Sequence, residues 1–308
     1  MHDAAAAWFS RRTSTAADWP VEALLAGKGT TRISVVIPAR NEAATIGGIV
    51  AGIRSALVDD VPLVDELVVI DSDSTDETAS LARDAGAVVH EARAVRPDLG
   101  TYRGKGEALW KAQFVTSGDV LVFVDADLTG WGTHFVTGLV GPLLAAADVA
   151  LVKGFYDRVL DDGTSGPVTP QGGRVTELVA RPLLDLYRPE LAALVQPLAG
   201  EWAIRRSVFE QLAIPTGYGV ELAVLLDVVA AGGLDAVAQV DLGARAHSHQ
   251  SVHDLGLMAA ELLAVAHRRF GAPAPVDDML WQFDRRATPP WRGRPVPLTE
   301  RSPRAEVG

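Results

Sequence analysis

A chain of 308 residues with 48% hydrophobic content is long enough for one large α/β domain, or a domain with a substantial extension, and apolar enough to bury a core. Its 28 Lys and Arg against 39 Asp and Glu give a formal charge of −11, which repels a polyanion surface such as duplex nucleic acid, so any phosphate it binds must be gripped locally. The absence of cysteine removes disulfides, thiolate metal sites and cysteine nucleophiles together and suits a reducing cytosol.

The N-terminus, MHDAAAAWFSRR, places its arginines after a short apolar patch, the reverse of a secretory signal. No charge-free apolar run of about 18 residues follows, so a cytoplasmic protein with no stable membrane insertion is expected. Four segments rich in β-branched residues come next, at 33–37, 66–70, 120–124 and 149–152, with a weaker one at 87–90. Their apolar character is nearly continuous rather than alternating, as in strands covered on both faces, which predicts a mostly parallel α/β sheet. Helical patterns lie between them at 42–57, 76–85, 105–115 and 133–144; the second opens on the capping residues Asp73, Ser74 and Thr75 and closes at Gly86.

Beyond residue 160 the pattern changes. Residues 161–167 read as a mobile loop, and Gly172-Gly173-Arg174 leads into a helical stretch at 175–186 that Pro182 is expected to kink or split. Further helical patterns fit 220–231 and 254–270, with a short strand at 238–240 between them. The tail from Ala287, rich in proline and arginine, reads as poorly ordered.

Ligands of open α/β sheets bind beyond the carboxyl ends of the strands. Those positions hold Pro38-Ala39-Arg40-Asn41-Glu42, Asp71-Ser72-Asp73-Ser74-Thr75 and Asp125-Ala126-Asp127. No G-x-G-x-x-G follows the first strand, which removes support for a dinucleotide fingerprint. The run from Gly100 to Gly106 has three residues between Gly100 and Gly104 where a P-loop needs four, and Gly106 where Ser or Thr should hold the metal. A D-x-D pair in an arbitrary loop merely caps turns. Here it ends an apolar strand, where two close carboxylates repel unless a hard divalent cation bridges them to phosphate.

In this order and spacing, PARNEAATIG, VVIDSDSTDET and FVDADL resemble the nucleotide-sugar half of glycosyltransferases with the GT-A fold. The longer series GKGEALWKA, LVKGFYDR, GGRVTELVARPLL, QPLAGEWA and GYGVEL is similar to the actinobacterial glucosyl-3-phosphoglycerate synthases, from about residue 15 to about residue 270. The resemblance implies a Rossmann-like, mostly parallel sheet flanked by helices, with a helical C-terminal acceptor-binding region. It implies an N-terminal extension at 1–30, a nucleotide-sugar region at 31–155, an acceptor-binding and metal-completing region at 156–270, and a C-terminal tail at 271–308.

The implied reaction moves glucose from UDP-glucose to the 2-hydroxyl of 3-phosphoglycerate with retention, assisted by Mg²⁺ or Mn²⁺, in a homodimer. Pro38, Ala39, Glu42 and Ser72 match positions that hold uracil and ribose, and Asp125, with Ala126 beside it, matches the ribose side. Asp127 and His247 match the metal ligands, and Arg245 the diphosphate contact. Gly173, Arg174, Thr176 and Tyr218 match the acceptor site, where amides and a hydroxyl at a helix start with an arginine fork suit a phosphate. Glu221 matches a carboxylate on the glucose hydroxyls, and it equally suits the first turn of a helix. Lys105 reads alone as a solvated lysine at a helix start; between Gly104 and Gly106 it can approach the diphosphate or sugar closely.

Lys105, Asp127, Glu221 and Arg245 are therefore the expected catalytic set, with front-face attack preferred over a Glu221 nucleophile. Two stretches depart from the family pattern, Ser248-His249-Gln250 and the acidic Asp157 in Lys153 to Arg158, both on the acceptor side. A same-fold UDP-sugar transferase using another small acidic acceptor is the alternative, and the choice between UDP- and GDP-sugars stays open. A nucleotidyltransferase needs a Gly-rich, Arg-containing loop after the first strand, and Pro38 to Glu42 is nothing like one; a binding protein without turnover would usually lose part of the Asp127/His247 pair. Alternation of His247, His249 and His253 reads as a solvated surface rather than a metal site.

Overall fold

The computed structural model describes residues 2–160, 173–247 and 251–308, apart from the side chains of residues 158–160, 246 and 247. The expected loop at 161–167 and the stretch Ser248-His249-Gln250 lie outside the described residues. In chain order the elements begin with α1 (Asp3–Arg12), β1 (Thr13–Thr15) and α2 (Val21–Lys28). They alternate through β2 (Ile33–Ala39), α3 (Ile46–Arg54), β3 (Glu66–Asp71), α4 (Thr78–Asp84), β4 (Val88–Glu91), α5 (Lys105–Ala112), β5 (Val120–Phe123), α6 (His134–Ala145) and β6 (Leu151–Leu160). The second half runs α7 (Arg181–Tyr187), β7 (Trp202–Arg205), α8 (Arg206–Phe209), β8 (Ile214–Pro215), α9 (Val220–Gly232), β9 (Val237–His247) and α10 (Val252–Arg269). It ends in β10 (Met279–Phe283), β11 (Trp291–Pro295) and β12 (Glu300–Arg301).

Among the described residues, eight strands form one sheet in the order β1-β9-β6-β7-β5-β2-β3-β4. Only β7 runs against its neighbours in that sheet, so the mostly parallel expectation holds. The continuous apolar runs are explained by side-chain alternation with both faces covered. Val36, Val68, Ile70, Leu121 and Phe123 pack on one face with Leu109 and Trp110 of α5 and Leu222 and Leu225 of α9. Val35, Ile37, Val69, Val122 and Val124 pack on the other with Ile46 and Ile49 of α3 and Phe135 and Leu139 of α6. Burial of each such side chain contributes about 1.5–3 kcal/mol before conformational entropy is subtracted.

Some boundaries shift for local reasons. The segment expected as a strand from 149 begins at Leu151, because the Val149 amide closes a turn onto the Ala146 carbonyl. The helix after β3 is capped at Glu77 without a side-chain bond, because Ser74 and Thr75 bond to Asn41 of the neighbouring loop instead. The helical stretch after Gly173 splits as Pro182 predicts: a wide π-helical turn, Thr176–Ala180, precedes α7, whose first turn takes the proline. The first thirty residues contribute a strand to the sheet, and Trp8, fully buried, donates its Nε1 to the Val237 carbonyl at 2.9 Å. No helix among the described residues is long and apolar enough to cross a membrane.

The tail needs correction. Expected as poorly ordered from Ala287, it forms β11 and β12 and lies along β8 and α5. The Trp110 Nε1 donates to the Ser302 carbonyl at 2.9 Å, and the Ala305 amide to the Glu210 carbonyl at 2.9 Å. Composition misled because prolines also suit extended edge segments, and because Arg301 finds the buried Glu107 rather than solvent.

Candidate active site

The loops after β2 and β3 form one side of the site. Asn41 and Asp73 both take left-handed backbone, φ 57° and 58°, a conformation that Asn and Asp tolerate better than most residues. The loops are then laced together: the Asn41 amide donates to Ser74 Oγ at 3.0 Å, the Glu42 amide to Thr78 Oγ1 at 2.7 Å, and the Thr75 amide to Asn41 Oδ1 at 2.8 Å. The Ser72 amide donates to the Ala39 carbonyl at 2.9 Å. Pro38, Ala39, Glu42 and Ser72 therefore lie on one braced surface. Thr45 joins it to the end of β5 by donating its hydroxyl to the Ala126 carbonyl at 2.6 Å.

An ionic network occupies the adjoining position, beyond β5. Lys105, the first residue of α5, lies 2.6 Å from Asp125 Oδ1 and 2.7 Å from Glu221 Oε1. Arg245, from β9, reaches Asp127 Oδ1 at 2.6 Å, Asp125 Oδ2 at 3.4 Å and Glu201 Oε1 at 3.0 Å, and it donates to the Tyr156 hydroxyl at 2.7 Å. Burial opposes the charge on both cations. The carboxylates outweigh it, Asp125 and Glu221 for Lys105 and chiefly Glu201 for Arg245, and hold both above their ordinary ranges. Burial likewise pushes the Asp125 carboxyl up, but Lys105 and Arg245 prevail and hold it at about 2.

The two aspartates that looked alike in sequence thus differ. Asp125 is enclosed between both cations, whereas Asp127 is 47% exposed at the mouth of the network. Two cations face four carboxylates, and the acidic surplus is felt nearby: burial, then Asp127 and Asp125, push the Glu42 carboxyl up to about 7. A cation belongs in such a field, and the partly exposed Asp127 oxygens suit a hard divalent ion. The side chain of His247, the other expected ligand, lies outside the described residues. No group of three metal-binding side chains occurs among the described residues.

The expected acceptor positions lie on two units. Gly173 and Arg174 lead into the Thr176–Ala180 turn, where Thr176 is buried and the Gly173 carbonyl accepts the Glu177 amide at 2.9 Å. Tyr218 and Glu221 sit where β8 passes into α9; Tyr218 is exposed and Glu221 buried. Helix α10 packs against both units, and its Glu261 accepts the Tyr218 amide at 2.6 Å.

Three side chains in this region were not singled out from sequence. Glu201 and Tyr156 hold Arg245, and Lys153, fully enclosed, donates to the Ala199 carbonyl at 2.7 Å. Burial, partly offset by Glu221, pushes the Lys153 ammonium down to about 8. One sequence signal was available: Glu201 is the lone charge in QPLAGEWA, an otherwise apolar run. The glycines around Lys105 also have a packing reason. A Cβ on Gly104 would lie 2.3 Å from the Thr216 carbonyl oxygen, and one on Gly106 would lie 1.8 Å from that of Pro215. They make room for backbone, so that α5 can seat against the β8–α9 loop.

The family model for glycosyl transferase family 2 matches residues 34–212. The glucosyl-3-phosphoglycerate synthase of Mycobacterium tuberculosis (strain H37Rv) is 48% identical over 257 residues, 83% of this chain and 78% of the relative. That of Petrotoga mobilis is 46% identical over 242 residues, 79% of this chain and 74% of the relative. The crystal structure of the M. tuberculosis synthase superposes with a TM-score of 0.85 at 42% identity, covering 96% of this chain and 98% of the other. Its complex with Mn²⁺, UDP-glucose and phosphoglyceric acid gives 0.84 at 43% identity, covering 94% and 96%.

Proposed function

Since this chain belongs to glycosyl transferase family 2 and, within it, to the glucosyl-3-phosphoglycerate synthases, we propose that it transfers glucose from UDP-glucose to the 2-hydroxyl of 3-phosphoglycerate with retention. The observation that carries the reading onto this chain's own residues is the network itself. Lys105 and Arg245 converge on Asp125, with Asp127 open to solvent beside them.

In this proposal residues 31–155 serve chiefly the nucleotide sugar and 156–270 the acceptor, with uracil and ribose against Pro38, Ala39, Glu42, Ser72, Asp125 and Ala126. The choice of UDP over GDP follows the relative's complex. Asp127 and His247 would hold a divalent ion, Mg²⁺ in the cell by our reading, with Mn²⁺ as its stand-in. When bound, that ion neutralises charge on the departing diphosphate. Arg245 and Lys105 act from the protein side as preorganised cations on the same charge. Their ion pairs fix them before the substrate arrives, so little reorganisation is needed during transfer.

Glu221 orients glucose hydroxyls. Held by Lys105, it does not have to act as a base, and the leaving phosphate oxygen takes the acceptor's proton on the same face of the sugar. Gly173, Arg174, Thr176 and Tyr218 receive the acceptor's phosphate and carboxylate.

We assign the protein to the cytoplasm, a reading that its cysteine-free composition supports. A homodimer is supported by the β10–β11 hairpin, which presents Trp281, Phe283 and Trp291 to solvent, more apolar surface than an isolated two-stranded ribbon usually leaves uncovered. The test of function is UDP release from UDP-glucose with a panel of acceptors and divalent ions. Release dependent on 3-phosphoglycerate and abolished by EDTA is expected. Release only with acceptors lacking phosphate would overturn the acceptor assignment.

A further inference from the structure

The first amides of an α-helix have no partner within the helix. In α5 two of them are satisfied from outside: the Gly106 amide donates to the Gly217 carbonyl at 3.2 Å, and the Glu107 amide to the Thr216 carbonyl at 3.0 Å. The helix that begins with Lys105 is thus capped by the backbone of the loop that carries Tyr218. The displacement of one carries the other.

That loop is held in turn by the C-terminal segment. Strand β12 pairs with β8, Glu300 opposite Pro215 and Arg301 opposite Ile214, and the Thr216 amide donates to the Thr299 carbonyl at 3.0 Å. Successive residues of a strand point to opposite faces. Glu300 turns toward α10 and meets Arg268 at 2.9 Å and Arg269 at 2.8 Å, and Arg269 also reaches Asp227 of α9 at 2.7 Å. Arg301 turns toward α5. It donates to both oxygens of the buried Glu107 at 2.6 and 2.8 Å, to the Leu99 carbonyl at 2.8 Å and to the Gly100 carbonyl at 3.0 Å. Its guanidinium also lies over the Trp110 ring at 4.6 Å.

We propose that Arg301 is a positioning residue for the transfer reaction. By clamping Glu107 and the carbonyls of residues 99 and 100, it fixes the first turn of α5, and hence Lys105, against the loop bearing Tyr218 and the start of α9 bearing Glu221. The proposal deepens the reading of Lys105 and Glu221 as members of the active site and rests on it. Arg301 contacts none of the network's charges; it acts through the helix two residues beyond Lys105. A bidentate fork with fixed geometry suits this role, and a lysine's single ammonium would keep the charge but lose the second bond and the planar stack.

The test compares R301M, which keeps apolar volume over Trp110, with R301K and with R304M. Arg304 lies on the same segment, over Phe114 at 4.5 Å, and serves as the control. In R301M we expect kcat to fall about tenfold or more while the affinity for UDP alone, by calorimetry, stays within about twofold. Partial recovery is expected in R301K, and near wild-type turnover in R304M. Amide exchange in the peptide spanning residues 104–112 should quicken in R301M. A kcat within about twofold of wild type, unchanged exchange in that peptide, or loss of UDP affinity in proportion to lost kcat would each overturn the proposal.

Should R301M fail to fold, the double variant E107Q/R301M removes both charges together and asks the same question, since no buried carboxylate is left unpaired. A wild-type enzyme that transfers to an acceptor other than 3-phosphoglycerate would overturn the acceptor reading alone, because R301M is then assayed with that acceptor. No turnover by the wild type on any acceptor overturns both.

Discussion

Helix α5 carries two ionic clusters, and they differ in how fully they are satisfied. On one side Lys105 enters the network with Asp125, Glu221 and, through Asp125, Arg245; on the other, Glu107 meets both Arg301 and Lys111. In the second cluster Arg301 bonds two carboxylate oxygens and two carbonyls, and Lys111 donates to the carbonyls of Val95, Arg96 and Gly100. In the first, Arg245 Nε and Glu201 Oε1 have no hydrogen bond among the described residues, although Glu201 is ion-paired, and Asp127 faces solvent. Unused bonding capacity is costly in a buried cluster unless a ligand takes it up. The contrast supports the proposal that one cluster holds the fold and the other receives a substrate.

The largest expected effect lies on the open side. D127A should lower UDP release about a thousandfold and abolish its dependence on added divalent ion, with little change in the urea midpoint. A rate indifferent both to the substitution and to EDTA would break the comparison. If Glu221 orients glucose as proposed, E221Q should cost about ten- to a hundredfold in kcat while Lys105 keeps its bond to Asp125. Nearly full turnover would eliminate Glu221 as a covalent nucleophile.

On the closed side, G106A forces a methyl into the Pro215 carbonyl and should destabilise the fold by about 2–3 kcal/mol by denaturant titration. The smallest effect is a pH slope. Burial pushes the Glu261 carboxyl up to about 7 from 4.5, with the Tyr218 amide opposing and Glu221 reinforcing. Between pH 4.5 and about 7 the unfolded chain releases this proton before the folded one, so stability falls as pH rises through that window. The loss should be about 1 kcal/mol per pH unit, levelling off above it, and E261Q should flatten the curve while keeping an acceptor for the Tyr218 amide.

Much of this was legible in sequence because it is local. The runs that became β2, β3 and β5 are apolar on both faces, and Asp125 and Asp127 follow directly from the end of β5. The long β9 was foreseen only at 238–240, since Gly243-Ala244-Arg245 has poor strand propensity and is held by pairing with β6. The partners of single charges were illegible: Arg301 and Glu107 lie 194 positions apart, and Arg245 and Glu201 lie 44 apart. No pattern in either stretch announces the other. The tail was misjudged for the same reason, as its order comes from residues that composition does not see.

The reversed strand β7 has a consequence for folding. It pairs with β5 on one side and β6 on the other, so a strand from the second half of the chain fills the gap between two from the first. Strand β1, from the start of the chain, then closes on β9. The proposed donor and acceptor regions are therefore interlocked through one sheet and are not separately folding units. A growing chain cannot complete the sheet until residue 247, the end of β9, has emerged, and pairings of such long sequence separation are slow to form. Once formed, they should be lost together, in a single cooperative unfolding step.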